Sequence, residues 1–296
     1  MRTLASGLAF PEGPVVLRDG SIAVGEIGAG RVTRVTLDGV SSLLADTGGG
    51  PNGLALGPDG ALYVCNNGGV TAAHVAGPDY AGGSIQRIDI ASGTVTTLYS
   101  ACGDHRLSAP NDIVFDAHGG FWFTDSGKKF ARHREQGALY YARTDGSHIE
   151  EAAYGLLAPN GVALSPDERT LYFTETETSR LIALPIIAPG KFETLPFPAP
   201  GGGRLVCGLP GFQFFDSIAV QADGDICVAT LVTGCIQIIA PDGRLVATHA
   251  VPDPYPTNLC FGGADMSSAY VTLVETGRLV EIPWPVAGLR LHDGRA

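Results

Sequence analysis

Six side chains carrying a carbonyl or carboxylate oxygen recur at matched places along the chain: Glu12, Asn52, Asn111, Asn160, Asp216 and Asn258. The chain has only six Asn, and four of them stand in this column. Carboxylate and amide oxygens without His or Cys select a hard cation, Ca²⁺ first, with Mg²⁺ or Mn²⁺ as alternatives. Glu12 and Asp216 would neutralise a divalent ion while the amides complete its shell. A second column, Glu26, Asn66, Asp125, Glu175, Thr230 and Thr272, closes the next apolar run of each copy. Other chemistries have no motif to rest on. There is no G-x-S-x-G elbow, H-E-x-x-H helix or Walker loop, and Gly48-Gly49-Gly50-Pro51-Asn52-Gly53 fits G-x-G-x-x-G only in letters, because it leads into a strand pattern. The seven His are dispersed, and His74, His105 and His133 are the ones in loops near the oxygen columns.

Each column member opens or closes part of one repeating unit: an acidic or amide residue, a short apolar run, a turn seven residues on, and a second apolar run with a polar end. PNGLALGPDGALYVCN and PNDIVFDAHGGFWFTD are two of six copies, whose starts lie 40, 59, 49, 56 and 42 residues apart. That is close to the period of about 40 to 50 expected of four-stranded propeller blades. Asp fills the turn in five copies (Asp19, Asp59, Asp167, Asp223, Asp265) and His118 in the sixth, as suits a residue that hydrogen-bonds its own backbone. Two more β-like runs follow each hairpin, so the expected fold is all-β: a six-bladed β-propeller with four-stranded antiparallel blades, one domain over residues 1–296. The last unit runs out after Arg278–Ile282, and the unassigned stretch Arg2–Ala9 is expected to supply its outer strand and close the ring. The first strand of each blade lines the central channel. Because the first two strands are antiparallel, both oxygen columns should face one mouth and the Asp turns the other.

Composition agrees with many short elements joined by tight turns. Of 296 residues, 45% are hydrophobic and 17% charged, which excludes disorder, and 41 Gly with 20 Pro leave little room for long helices. The net charge of −11, with Lys128, Lys129 and Lys191 the only lysines, argues against a nucleic-acid partner. Neither a signal-like run within Met1–Gly13 nor a membrane-spanning stretch is apparent, so a cytoplasmic protein with no membrane partner is expected. The six cysteines are scattered, without a C-x-x-C pair, and read as free thiols.

The runs PEGP, PNGLALGPDGALYV, PNDIVFDAHGGFWFTD, PNGVALSPDERTLYFTE and TNLCFGG, in this order across nearly the whole chain, resemble the gluconolactonase, regucalcin (senescence marker protein) and luciferin-regenerating enzyme family of six-bladed propellers. The resemblance implies a metal-dependent hydrolase, most often a lactonase, acting on a small sugar-derived or similar lactone. Its one divalent ion, Ca²⁺ first with Zn²⁺, Mn²⁺ or Mg²⁺ as alternatives, would be held by Glu12, Asn111, Asn160 and Asp216. A drug-responsive lactonase branch also brings the Asp of F-T-D towards the metal, which here is Asp125. Regucalcin-like members carry a sugar-contacting Arg two residues before the Asn of N-D, where this chain has Ala109, with Arg106 near enough to substitute. A bound cation would polarise the lactone carbonyl while a carboxylate takes a proton from water, Asp216 being the first choice for that base and Asp125 the second. Asn66, Glu26 and Glu175, with Arg106, are expected to contact substrate. Two further readings are an ester or phosphotriester hydrolase at the same site and a non-catalytic Ca²⁺-binding propeller. The basic segment Gly127–Arg134 should overhang the mouth as a positive rim.

Overall fold

Short runs rich in β-branched and aromatic residues, each ending at a Gly-containing turn, form strands throughout this computed structural model, which describes residues 1–71 and 75–292. Their order is that of a six-bladed β-propeller, with no α-helix among the described residues. Blade 1 comprises Pro11–Val16, Ile22–Glu26, Arg31–Val35 and Ser41–Asp46, and blades 2, 3 and 5 repeat this simple antiparallel meander. In blade 4 the nine-residue strand Arg180–Ala188 pairs with both Lys191–Phe192 and Arg204–Gly208. Blade 6 is completed from the other end of the chain: Arg2–Ala5 pairs antiparallel with Arg278–Pro283, so the N-terminal strand closes the ring as expected.

Blades pack face to face, and their apolar residues are therefore divided among six clusters, one at each blade junction. Second strands such as Gly120–Asp125 are buried on both faces because each blade has a neighbour on either side. Phe123 stacks on Tyr140 at 5.0 Å and Tyr63 meets Phe115 edge-on at 5.0 Å, an aromatic wedge between blades 2 and 3.

The hairpin aspartates hold the far end of each blade. Asp19, Asp59, Asp167, Asp223 and Asp265 each accept the N–H two residues on, at 3.0 to 3.2 Å. Where His118 takes this position, Asp116 accepts from the N–H groups of His118 and Gly120 instead. Inner strands approach closely at the mouth end. A Cβ at Gly13 would strike the Asn52 carbonyl and one at Gly53 the Asn111 carbonyl, which explains Gly after Glu12 and Asn52. All six cysteines are free.

Candidate functional site

The inner strands of blades 2 to 5 begin at one mouth of the channel, and there Asn52, Asn111, Asn160 and Asp216 line a single cavity of about 580 Å³. Glu12 is buried beside Asp216 and Asp112, and the Asn258 amide hydrogen-bonds its carboxylate. Burial pushes the Glu12 carboxyl well above the usual range, and the neighbouring Asp216 pushes it further. Burial also raises Asp216, against the hydrogen bond from Asn160 and with the Asp112 charge adding to the rise. Among the described residues neither carboxylate has a basic partner at hydrogen-bond or ion-pair distance.

This donor set fits a divalent cation. The buried carbonyl oxygens of Asn52 and Asn111 have no hydrogen-bond partner, a costly condition that an ion or an ordered ligand would relieve. Among the described residues no three His, Cys, Asp or Glu side chains form a cation cage by themselves, so amide oxygens would have to complete the shell. Asn160 is positioned by its own bonds: its Nδ2 donates to Thr176 Oγ1 at 3.0 Å, and Ser217 Oγ donates to its Oδ1 at 3.4 Å. Asn258 has a different duty, since its Oδ1 accepts the Leu259 N–H at 2.7 Å while its amide holds Glu12.

Asp112 is the site residue that pattern reading passed over. It is buried, accepts the Ile113 N–H at 3.0 Å, and is pushed by burial up to about 7. Its signal was a departure from the repeat: the corresponding positions hold Gly13, Gly53, Gly161, Ser217 and Leu259, so an acid there breaks the column.

The second oxygen column is occupied with the frame. Glu26 accepts the Ala9 N–H at 2.8 Å and pairs with Arg31 and Thr33. Asn66 accepts from the Gly50 and Gly68 N–H groups at 2.9 and 3.0 Å, and Glu175 from Leu157 N–H at 3.0 Å. Asp125 is held by three N–H groups, those of Ser108 and Ala109 at 2.7 Å and of Gly127 at 3.0 Å. All four therefore clamp the backbone just before the Pro that begins the same blade's first strand. None of them lines the cavity that holds Asp216. Asp125 and Arg106 face instead a lateral cleft with Glu135, Glu151 and Tyr140, and Arg106 donates to the Ala81 carbonyl. Thr230 and Thr272 bond locally, to the Val228 carbonyl and to Asn258 N–H and Thr257.

The basic segment does reach the mouth cavity, through Lys128, Lys129 and Arg134. It is less free than its charge suggested. Lys128 is 2% exposed and donates to the carbonyls of Asn67 and Gly69, with its ammonium 4.6 Å from the Tyr80 ring. Burial lowers its pKa to about 8. Arg134 pairs with Glu177. His133 stacks on Phe130 at 4.5 Å, His105 lines the lateral cleft, and His74 lies outside the described residues.

Comparison with known proteins bears on the whole propeller. A profile of the SMP-30/Gluconolactonase/LRE-like region matches residues 10–275. Lactonase drp35 of Staphylococcus saprophyticus is 28% identical over 243 residues, covering 81% of this chain and 69% of the relative. Two solved structures superpose at a TM-score of 0.76: a gluconolactonase of Xanthomonas campestris, 23% identical over 96% of this chain and 89% of that one, and a calcium-binding regucalcin of Agrobacterium tumefaciens, 21% identical over 98% and 97%.

Proposed function

This chain belongs to the SMP-30/gluconolactonase/LRE-like family, and from that premise we propose that it is a divalent-metal-dependent lactonase whose reaction takes place in the mouth cavity. The observation that carries the reading is the pairing of two buried carboxylates that have no basic partner among the described residues, Glu12 and Asp216, with the unsatisfied amide oxygens of Asn52 and Asn111 at the same mouth. The names of the relatives, lactonase and gluconolactonase, supply the ester chemistry.

Glu12, Asn111, Asn160 and Asp216 would hold the ion, which when bound would polarise the lactone carbonyl. Asp216 accepts a proton from the attacking water at its carboxylate oxygen, and Asn160 and the Ser217 N–H keep that carboxylate aimed. Asn258 fixes the Glu12 carboxylate from the other side. Asp125 is excluded as the base in this reading, because its oxygens are committed to three backbone N–H groups and face another cavity. Calcium is the first choice of ion for an all-oxygen donor set of carboxylates and amides, and Mn²⁺, Mg²⁺ and Zn²⁺ are the alternatives.

A pH-stat screen of aldonolactones and simple γ- and δ-lactones, run with chelator and then with each ion added back, tests the proposal. Ring opening that vanishes with chelator and returns with one ion is expected. No metal-dependent rate on any lactone would leave the non-catalytic ion-binding propeller as the better reading.

A further inference from the structure

The mouth cavity has two unlike walls. On the side of blades 3 and 4 it is bounded by Ser126, Lys128, Arg134, Thr176 and Glu177. On the side of blades 5, 6 and 1 it is bounded by Phe214, Leu231, Tyr255, Val274 and Phe10, with Thr257, Glu275 and the buried Asp216 the polar and charged residues among the described lining residues there. This apolar wall continues outward onto the surface. Phe212, 74% exposed, meets Phe214 edge-on at 5.2 Å, while Val232 and Tyr255 are also exposed. Each of these residues lies where the chain enters a first strand or leaves a second strand, so all belong to the mouth face of blades 5 and 6.

A contiguous apolar surface that runs from solvent into a polar reaction site has a physical cost unless something covers it. A polyhydroxylated ligand would leave its hydroxyls unpaired against Phe214, Leu231 and Val274. An apolar substituent would instead gain the burial. The continuity of the wall with the cavity that holds Asn111, Asn160 and Asp216 identifies the occupant as the unreacting part of the substrate itself. We therefore propose that the preferred substrate is a lactone bearing an apolar alkyl or aryl substituent, its ring at the oxygen-lined base and its tail along Phe214, Leu231 and Tyr255 towards Phe212. This inference takes the reacting group from the lactonase reading and adds the class of substituent.

Binding and hydrolysis can be separated with lactams, in which an N–H replaces the ring ester oxygen and hydrolysis is suppressed. Calorimetric titration of the full chain, with Ca²⁺ present, would use 5-alkyl-γ-lactams with tails from methyl to hexyl and the polyhydroxylated gluconolactam. Affinity is expected to rise by up to about fourfold per methylene, corresponding to about 0.8 kcal/mol per buried CH₂, with gluconolactam weaker than the hexyl compound. Leu231→Ser and Tyr255→Ser should each flatten the ladder, and thermal melts would verify that both variants remain folded. Affinity independent of tail length, or tighter binding of gluconolactam, overturns the proposal. So does a flat ladder in which Phe212→Ser abolishes self-association of the chain in sedimentation, because the patch would then be a contact between copies. Failure of the lactonase reading is a different result: no lactone is opened in the pH-stat, whatever the lactam ladder does.

Discussion

Glu12 and Asp216 set the energetics of the site at the scale of single residues, because each is buried with an acid for a neighbour and, among the described residues, no basic partner. Glu12→Gln removes one of these charges without changing shape. It should weaken Ca²⁺ binding in calorimetry at least tenfold, more than Asn258→Ala, whose partner role is indirect. In chelator the same substitution should raise the melting temperature, since burying a neutral amide costs less than burying a second carboxylate. Equal losses of affinity for the two variants would contradict this division of roles. Glu26 has the opposite character: Arg31, Thr33 and the Ala9 N–H outweigh its burial and hold its carboxyl below the ordinary glutamate value of about 4.3. A depressed folded-state value contributes stability above the unfolded value and loses it as pH falls. Glu26→Gln should therefore destabilise at pH 7, and its deficit against wild type should shrink as pH falls below the ordinary glutamate range, measured by denaturant melts. That six oxygen-bearing residues share one repeat position could be read from sequence, because repetition exposes a column. The duties of Glu26, Asn66, Asp125 and Glu175 could not, because an acid that clamps a backbone N–H and an acid that faces a cavity occupy the same strand end. Asp112 was hidden for the converse reason: it belongs to no column.

Among the elements, the strand pattern was legible to within a residue or two, because short apolar runs and the Asp turns that punctuate them are local properties. The basic segment 127–134 was legible as charge only. Its structural role depends on contacts about 60 positions away in the chain, the carbonyls of Asn67 and Gly69 that receive the Lys128 ammonium. Lys128→Met keeps the length and apolar contact of the stem and removes the donors. It should raise amide exchange in residues 67–70 and lower stability by about 1.5 to 3 kcal/mol, the scale for hydrogen bonds involving a charged group. Protection unchanged in that loop would return Lys128 to the role of a solvated rim charge. Because Lys128 and Arg134 are engaged, any steering of anionic substrates falls to Lys129 and Arg132.

For the whole molecule, the ring depends on one long-range pairing, Arg2–Ala5 on Arg278–Pro283, reinforced by the Arg2–Glu281 ion pair. Removing residues 1–7 should expose the edge of the last blade and part of its junction with blade 1, where Leu4 and Ala5 are buried. A lower melting temperature with increased aggregation is expected, and an unchanged melt would mean that the remaining contacts suffice to close the ring. Six blades sharing one axis bring distant residues such as Glu12 and Asp216 together, so the site depends on closure. The claim that chemistry belongs to the mouth cavity and not to the lateral cleft is tested most directly by comparing Asp216→Asn with Asp125→Asn on the best lactone, with saturating Ca²⁺ and with chelator. The account predicts that Asp216→Asn lowers kcat/KM by about 10² to 10⁴, while Asp125→Asn lowers stability and leaves kcat/KM within about tenfold at a temperature where it is folded. The reverse order, or a rate that neither variant nor chelator changes, would contradict it.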